Sequence, residues 1–373
     1  MSTPGAAATT VDPAVIRTAV DNCLASFLDR KHRTALAHRM PEEVARTLDR
    51  FLTAGGKRLR PLLCVCGWHA AGREDTPATV VQVAASLEMF HAFALIHDDV
   101  MDHSGTRRGK PTIHRAVARH HARLGRRDAQ ELGVGAAVLI GDLAFAWSDE
   151  LLHTAGLPPR RLKAVLPLVD LMRTEIMYGQ YMDLLATGDL GSDIDVPLNV
   201  LHYKTAKYTV ERPLHIGATL AGADARTLDV LTAYGIAVGE AFQLRDDLLG
   251  AFGTPHETGK SRLDDLREGK HTVLVALALR GADAQQHQIM AQLLGDRRLT
   301  ENGACRVRDV LEATGARAEV ERMILSRCVQ AHRALDEAGL PPSAVRMLRE
   351  IADMVAGRNR DVPQLDTNAG GFR

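Results

Sequence analysis

The chain has 373 residues, of which 46% are hydrophobic, so it is long and apolar enough to bury a sizeable core. Lysine and arginine number 46, as do aspartate and glutamate, and this balance excludes an overall field that would direct the protein to nucleic acid or an anionic membrane surface. Five cysteines without a Cys-x-x-Cys pair exclude a zinc motif and predict a reduced, cytoplasmic protein.

The predicted elements are almost all helices, because Ala- and Leu-rich segments are long and alternating β-branched runs are absent. Residues 1–12 lack a signal-peptide pattern and predict a disordered tail. A helix is predicted to begin at Thr76 and Pro77, as N-cap and first-turn proline, and to run through residues 78–104. Its body, residues 80–96, is apolar on nearly every side, which predicts a central, buried position.

Further helices are predicted near residues 128–154, 160–187 and 196–220. A second central helix is predicted at residues 225–251, where Gly235 and Gly239 would allow another helix to approach closely.

After this helix the chain is polar and irregular as far as Lys270, and helices then resume to about Arg358. Residues 361–373 predict a disordered tail. No repeat, domain break or apolar stretch of the ~18 residues that span a membrane is present. We therefore predict one all-α domain, residues 13–360, in which a helical bundle surrounds a central apolar cavity.

Both central helices carry adjacent aspartates near their predicted C-termini, namely Asp98, Asp99 and Asp102 on the first and Asp246 and Asp247 on the second. Carboxylates there oppose the helix dipole by ~0.3–1 kcal/mol each, so a compensating positive charge is expected. Asp98 and Asp102 project from one face, one turn apart, and suit a hard cation such as Mg²⁺ or Mn²⁺. For a single motif of this kind, an acidic helix end in contact with solvent is the alternative. The presence of two acidic motifs on two buried helices favours a metal site.

Basic residues near these motifs in the chain could bind a diphosphate. No Gly-x-x-x-x-Gly-Lys-Ser/Thr loop follows a strand, which argues against a P-loop nucleotide enzyme. The long apolar helices instead predict a cavity for a hydrocarbon tail. The basic residues are Lys57, Arg58, Arg60, Arg107, Arg108, Lys110, Lys204, Lys260 and Lys270.

The segments GGKRLRP, LIHDDVMDHSGTRRGKPTIH, KTA, FQLRDDLLG and DDLREGKHTVL occur in this order within residues 55–274. Together they resemble the trans-polyprenyl diphosphate synthase family. The resemblance implies an isoprenoid synthase fold, usually homodimeric, and a prenyltransferase that joins isopentenyl diphosphate to dimethylallyl, geranyl or farnesyl diphosphate. It also implies about three Mg²⁺ ions per site, with Mn²⁺ as a substitute.

The resemblance also assigns roles to individual residues. Asp98 and Asp102 would bind Mg²⁺ from one side and Asp246 from the facing helix, with support from Asp99 and Asp247. The positions that match the isopentenyl diphosphate site are Lys57, Arg60, His91 and Arg108. Those that match the allylic diphosphate site are Arg107, Lys204, Lys260 and Lys270. Thr205 and Gln243, with Lys204, match positions near the forming carbocation; Asp183 matches one near the metals and Gln180 one near the allylic substrate.

Two features bear on the product and on competing interpretations. Phe93 is bulky and Ala94 is small, and in the family that the segments resemble a large residue at this position stops growth of the chain early. The resemblance therefore implies geranylgeranyl diphosphate as product, with farnesyl diphosphate as the alternative. Gly250 stands where many family members have a third aspartate, which leaves a non-catalytic subunit of a heteromeric synthase as one alternative. A terpene cyclase is another, although it would not need the second diphosphate site. For His91, a core histidine is the alternative.

Overall fold

A computed structural model describes residues 12–254, 263–336 and 339–357, and most of the described chain is helical. Lys260, the predicted C-terminal tail 361–373 and all but the last residue of the predicted N-terminal tail lie outside the described residues. Asp12 is the exception: its side chain accepts a hydrogen bond from the Ala14 amide at 2.8 Å and caps the first helix.

The helices form one bundle joined by short loops. In chain order they are α1 (Pro13–Ala37), α2 (Glu42–Thr53), α3 (Leu59–Ala70), α4 (Ala78–Met101), α5 (Ile113–Arg123), α6 (Ala129–His153), α7 (Pro159–Ala186), α8 (Asp195–Val200), a π-helical segment (Leu201–Glu211), α9 (Arg212–Ala221), α10 (Ala225–Phe252), α11 (Asp264–Glu268), α12 (Val273–Gly281), α13 (Ala284–Leu293), α14 (Glu301–Ala313), α15 (Ala316–Asp336) and α16 (Pro342–Val355).

The two predicted central helices are confirmed. Helix α4 packs against α1, α3 and α6, and α10 packs against the π segment, α9 and α15. Most side chains of α4 from Val80 to Ile96 are buried, as the all-round apolar pattern predicts. Gly235 and Gly239 face the π segment at backbone distance, so the predicted close approach is also present.

Three local features differ from the prediction. Pro77 is the N-cap of α4 rather than its first residue, and Thr76 Oγ1 instead lies 2.9 Å from His69 Nε2. Helix α4 ends at Met101 instead of continuing to residue 104, and Asp102 is its C-cap. A two-stranded hairpin was not predicted: Thr106–Arg107 pairs antiparallel with Lys110–Pro111, because strands of two residues show no periodicity.

Helices α4 and α6 are long and apolar enough to cross a membrane, but these criteria are also met by core helices of globular proteins. In α4, 61% of the most apolar 18-residue segment is buried inside the bundle, where the helix packs against α6. The described chain therefore gives only weak evidence of a membrane span.

Helices α3 and α9 touch at their backbones, because each contributes a glycine to the contact. A Cβ atom at Gly67 would overlap the Leu214 carbonyl oxygen, and one at Gly217 would overlap the Cys64 carbonyl oxygen. Neither carbonyl can move as a side-chain tip could, so a larger residue must push the helices apart.

We expect Gly217→Ala to lower the free energy of unfolding by about 1–3 kcal/mol, measured by urea denaturation, since backbone must shift to admit the methyl group. Gly135→Ala is the matched control, because no atom lies within 4 Å of its added Cβ, and helix propensity predicts a stability gain of up to about 1 kcal/mol. Equal effects of the two substitutions would contradict the close α3–α9 contact.

Candidate active site

The C-terminus of α4 concentrates negative charge. Asp98 and Asp99 lie in its last turn and Asp102 is the C-cap, where the helix dipole disfavours carboxylates. Asp99 is buried, whereas Asp98 and Asp102 lie on a half-buried face of the helix together with His91 and Ala94. The predicted one-face arrangement of Asp98 and Asp102 is thus present.

Cations from three separate segments reach this cluster. Arg107, on the hairpin, contacts Asp98 at 3.1 Å and Asp99 at 2.7 Å. Lys204 Nζ, on the π segment, lies 3.2 Å from Asp98 Oδ1, and Lys270 Nζ, after α11, lies 3.2 Å from Asp102 Oδ2. The structure therefore brings together the three described residues that the resemblance assigns to the allylic diphosphate.

These contacts keep both partners charged. Burial disfavours the ionised form of Asp98, but Lys204, Lys270 and Arg107 outweigh burial and hold the pKa of Asp98 far below its usual value. Burial likewise disfavours the charge of Lys204, yet Asp98 and Asp183 raise its pKa above that of an ordinary lysine. At neutral pH Asp98 is therefore a carboxylate and Lys204 is fully charged.

Lys270 connects the two acidic motifs. Burial opposes its charge, but Asp102 and Asp265 lead the acidic groups that raise its pKa well above the usual value. On α10, burial raises the pKa of Asp247 to about 8, with neighbouring Asp246 and Asp265 adding to the shift and Lys270 opposing it. Both motifs thus face the same lysine.

The π segment determines where Lys204 points. Its Nζ also donates to Asp183 Oδ2 at 2.6 Å, so the residue predicted near the metals lies at the cluster. Two neighbouring helices approach this segment through glycines: a Cβ at Gly179 would lie 2.5 Å from the Lys204 nitrogen, and one at Gly239 would overlap Ala206 Cα. The segment is therefore held from both sides at backbone distance.

Thr205 and Gln243 form a chain of hydrogen bonds towards the second motif. Thr205 Oγ1 donates to Gln243 Oε1 at 2.7 Å, and Gln243 Nε2 donates to Asp247 Oδ1 at 2.8 Å. Asp247 therefore fixes the orientation of the Gln243 amide. Gln180, by contrast, has a buried Nε2 without a hydrogen-bond partner among the described residues.

A second cationic region lies around His91. The guanidinium of Arg60 lies 4.3 Å from the centre of the Tyr208 ring and donates to Thr209 Oγ1 at 2.6 Å. Arg108 donates to the Gly55 carbonyl oxygen, and the Tyr208 hydroxyl lies 3.3 Å from His91 Nδ1.

Positive charge in this region is poorly compensated. Burial lowers the pKa of Arg108, and although Glu88 opposes the shift, nearby arginines including Arg58 and Arg60 add to it. Burial and the same arginine cluster hold the pKa of His91 well below its usual value, so His91 is neutral at pH 7. Half-buried cations that form no ion pair with a carboxylate among the described residues favour an anionic ligand. Lys57, the remaining predicted member, is exposed.

Arg58 differs from its basic neighbours. It is buried and donates to Asp21 Oδ1 and Glu88 Oε1, both at 2.8 Å, and to the Leu52 carbonyl oxygen at 2.6 Å. It therefore ties α1, α2 and α4 together. The sequence does not distinguish this structural arginine from those beside it, because a run of basic residues looks the same whichever member is buried.

The carboxylate oxygens of the aspartates are suitable ligands for Mg²⁺. Within the described ranges no group of three or more His, Cys, Asp or Glu side chains is arranged to hold a metal ion. Mg²⁺ commonly binds one or two carboxylates and completes its coordination with water and substrate phosphates, so separate aspartates beside a diphosphate suffice. Oxygen-only donors also match Mg²⁺ better than zinc.

Aromatic rings lie along α4 below the first motif. The Phe93 ring centre is 5.2 Å from those of Phe90 and Phe145, and Ala94 beside it is half-buried. Two cavities, of about 390 and 490 Å³, lie elsewhere, the larger of them around Met182 and His271. The predicted apolar cavity would lie along the half-buried face of α4 that carries Ala94.

The match to the polyprenyl synthetase family covers residues 41–311. The geranylfarnesyl diphosphate synthase of Aeropyrum pernix is 31% identical over 74% of this chain and 81% of its own length. The geranylgeranyl diphosphate synthase of Saccharolobus solfataricus is 31% identical over 70% of this chain and 74% of its own.

Solved structures agree with the sequence comparison. A geranylgeranyl pyrophosphate synthase from Corynebacterium glutamicum, complexed with isoprenyl diphosphate and magnesium, superposes with a TM-score of 0.90 at 36% identity. The superposition covers 93% of this chain and 100% of that one. The chain thus belongs to the polyprenyl synthetase family and is a prenyltransferase.

Proposed function

We propose that this protein condenses isopentenyl diphosphate with an allylic diphosphate, and that geranylgeranyl diphosphate is its main product. The observation that carries the proposal is the presence of two cationic regions with different charge balance. Arg107, Lys204 and Lys270 are paired with aspartates, whereas Arg60 and Arg108 form no ion pair with a carboxylate in the described ranges. Such a difference suits two diphosphate substrates, because only the allylic substrate loses its diphosphate by cleavage of the C–O bond.

The aspartate region suits the allylic substrate. Asp98, Asp102 and Asp246 would hold Mg²⁺, and about three ions are expected from the resemblance. Bound Mg²⁺, or Mn²⁺ in its place, supplies a positive charge that stabilises the departing diphosphate. Arg107 and Lys204, which are charged at neutral pH, would bind the same group, and Lys260 is proposed to join them.

The uncompensated region suits isopentenyl diphosphate, whose own diphosphate is retained. Lys57, Arg60 and Arg108 would bind it as cations, and His91 would contribute hydrogen bonds as a neutral ring. Since a terpene cyclase has no second diphosphate to bind, this region favours the condensing enzyme.

Thr205 and Gln243 are proposed to stabilise the positive charge that develops after the allylic bond breaks. Their dipoles are fixed by the hydrogen bonds to each other and to Asp247, so little reorganisation is needed as charge develops. The π-segment backbone at Lys204 adds a further dipole in the same place. The aromatic rings around Phe93 would exclude water from the cation and limit the length of the tail.

A homodimer would cover an apolar face of α6 and α7. Leu139 on α6 is 66% exposed, and Tyr178, Tyr181 and Leu185 on α7 are 61–65% exposed. Their three- and four-residue spacing on α7 places them on one face, as in a helix that packs against a partner. A symmetric dimer would bury this face twice.

A reducing compartment such as the cytoplasm is consistent with the sulfur chemistry. All five cysteines are free thiols, and Cys64, Cys66 and Cys328 are buried in the core. Burial raises the pKa of Cys64 to about 12, so this thiol is unreactive at neutral pH.

We expect the purified protein alone to consume isopentenyl diphosphate with Mg²⁺ and a dimethylallyl, geranyl or farnesyl diphosphate primer, and chelation of the metal should stop it. Asp98→Asn should lower turnover by about 10³-fold or more, because a key carboxylate is lost. Asp229→Asn, an exposed aspartate of α10, is the control. Primer conversion without consumption of isopentenyl diphosphate would indicate a cyclase, and no turnover by the protein alone would indicate a heteromer subunit.

Phe93→Ala should lengthen the main product by at least one isoprene unit, because the tail could then pass the aromatic cluster. Phe93→Leu retains most of the volume and should shift the product less. Product sizes are read by chromatography after dephosphorylation, with melting temperatures measured in parallel. If both variants gave the parental product, Phe93 would not limit chain length.

Tyr181→Asp should convert a dimer to monomers, because it places a charge in the proposed interface. Val15→Asp, which alters an equally exposed apolar residue on α1, should leave the dimer intact. Light scattering after size-exclusion chromatography distinguishes the two. A parent protein that is monomeric at micromolar concentration would refute the proposed dimer.

A further inference from the structure

The segment between the first acidic motif and α6 is strongly basic. Residues 103–127 contain eight lysines and arginines and no aspartate or glutamate, although the chain as a whole is neutral. Arg107, Arg108 and Lys110 of this segment belong to the hairpin beside the active site. The other basic residues lie on α5 and in the loop that follows it, namely Arg115, Arg119, Arg123, Arg126 and Arg127.

Helix α5 turns its arginines away from the bundle. Its buried side packs against α6. Arg115, Arg119 and Arg123 follow one another at four-residue spacing on the opposite side, where Arg119 and Arg123 are exposed. Arg127, in the loop after the helix, is exposed as well. These four arginines are called the basic face below.

The basic face lacks the acidic partners that other exposed helices of this protein provide. On α1, Arg33 pairs with Asp29 one turn away at 2.9 Å, and on α15 Arg317 pairs with Glu321 at 3.3 Å. The residues one turn on either side of Arg119 are instead arginines, and like charges at this spacing repel each other. The structure records no ion pair between the basic face and a carboxylate of the described chain. An anionic surface that bound here would remove the repulsion.

Exposed apolar side chains lie at the same end of the bundle. Leu124, the C-cap of α5, is 66% exposed. His121 of α5 lies 3.9 Å from Glu43 in the first turn of α2, so the turn between α1 and α2 is close by. Leu36 at the end of α1 and Met40 in that turn are both 48% exposed. Cations beside exposed leucine and methionine are typical of proteins that lie on a lipid bilayer.

We propose that the basic face docks this protein on the surface of a bilayer rich in anionic lipid, with Leu124 at the boundary between headgroups and acyl chains. Lipid phosphates supply the negative charge that the arginines lack within the described chain. A nucleic acid would match this charge but offers no apolar layer for Leu124, so the bilayer is favoured.

The position of α5 gives the docking a use. The helix begins two residues after the hairpin that carries Arg107, and Arg107 contacts Asp98 and Asp99. Docking through the basic face therefore brings the active site close to the bilayer. A product with a long hydrocarbon tail partitions into the same bilayer.

Cosedimentation of the full chain with vesicles tests the docking. Vesicles of phosphatidylcholine and phosphatidylglycerol in equal parts should bind the parent at least about tenfold more tightly than phosphatidylcholine alone, and added salt should weaken the binding by screening the arginines. The combination of Arg119→Glu and Arg123→Glu should weaken binding to the anionic vesicles at least about tenfold.

The combination of Arg297→Glu and Arg306→Glu is the matched control. Both residues are exposed, one just before α14 and one on α14, which packs against α12, α13 and α15. The same change in net charge should there alter vesicle binding by less than about threefold. Equal losses in the two double variants would overturn the inference, as would a parent that does not prefer anionic vesicles.

Leu124→Ser separates a bilayer from other polyanions. Because this side chain is exposed, the variant should keep the melting temperature of the parent while its affinity for anionic vesicles falls about threefold or more. A parent that bound a short DNA duplex as tightly as the vesicles, together with a Leu124→Ser variant that bound vesicles like the parent, would refute docking on a bilayer. None of these measurements requires turnover, so docking and the condensing activity are tested separately.

Discussion

The contact between Lys204 and Asp98 joins the two parts of the bundle on which the site depends. Asp98 is carried by the last turn of α4, where the helix dipole disfavours it, and Lys204 is carried by a π segment packed on α10. Neither charge would be stable in so buried a place alone, since an unpaired buried ion costs several kcal/mol. Each therefore stabilises the other, and Arg107 and Lys270 extend the arrangement to Asp99 and Asp102.

This pairing also explains how a buried cluster remains available to a diphosphate. The cations and carboxylates already compensate one another, so a ligand that brings both phosphate and metal can exchange partners with them without leaving a charge unmatched. The region around Arg60 and Arg108 follows the opposite principle, because its positive charges stand close together beside a neutral His91. The two roles proposed for diphosphate thus correspond to two different balances of charge.

Patterns in the sequence predicted the parts of the molecule that have a strong period or a strong chemical signature. The all-round apolar run of α4 predicted its central position, and the four-residue spacing of Asp98 and Asp102 predicted their common face. The sequence predicted an ordinary α-helix for the π segment, because composition alone does not reveal the i→i+5 hydrogen bonds of a π-helix. Arg58 was not distinguished from its neighbours, since its role depends on contacts with distant segments such as α1.

The two glycines that flank the π segment carry a wider consequence. Gly179 and Gly239 have no functional group and touch no substrate, yet the direction in which Lys204 and Thr205 point depends on the hydrogen atoms that stand where methyl groups would be. The positions of the reactive side chains thus depend partly on the absence of side chains at these two glycines. A survey of related proteins restricted to reactive side chains would overlook both positions, although a single added carbon at either could turn the lysine away from its target.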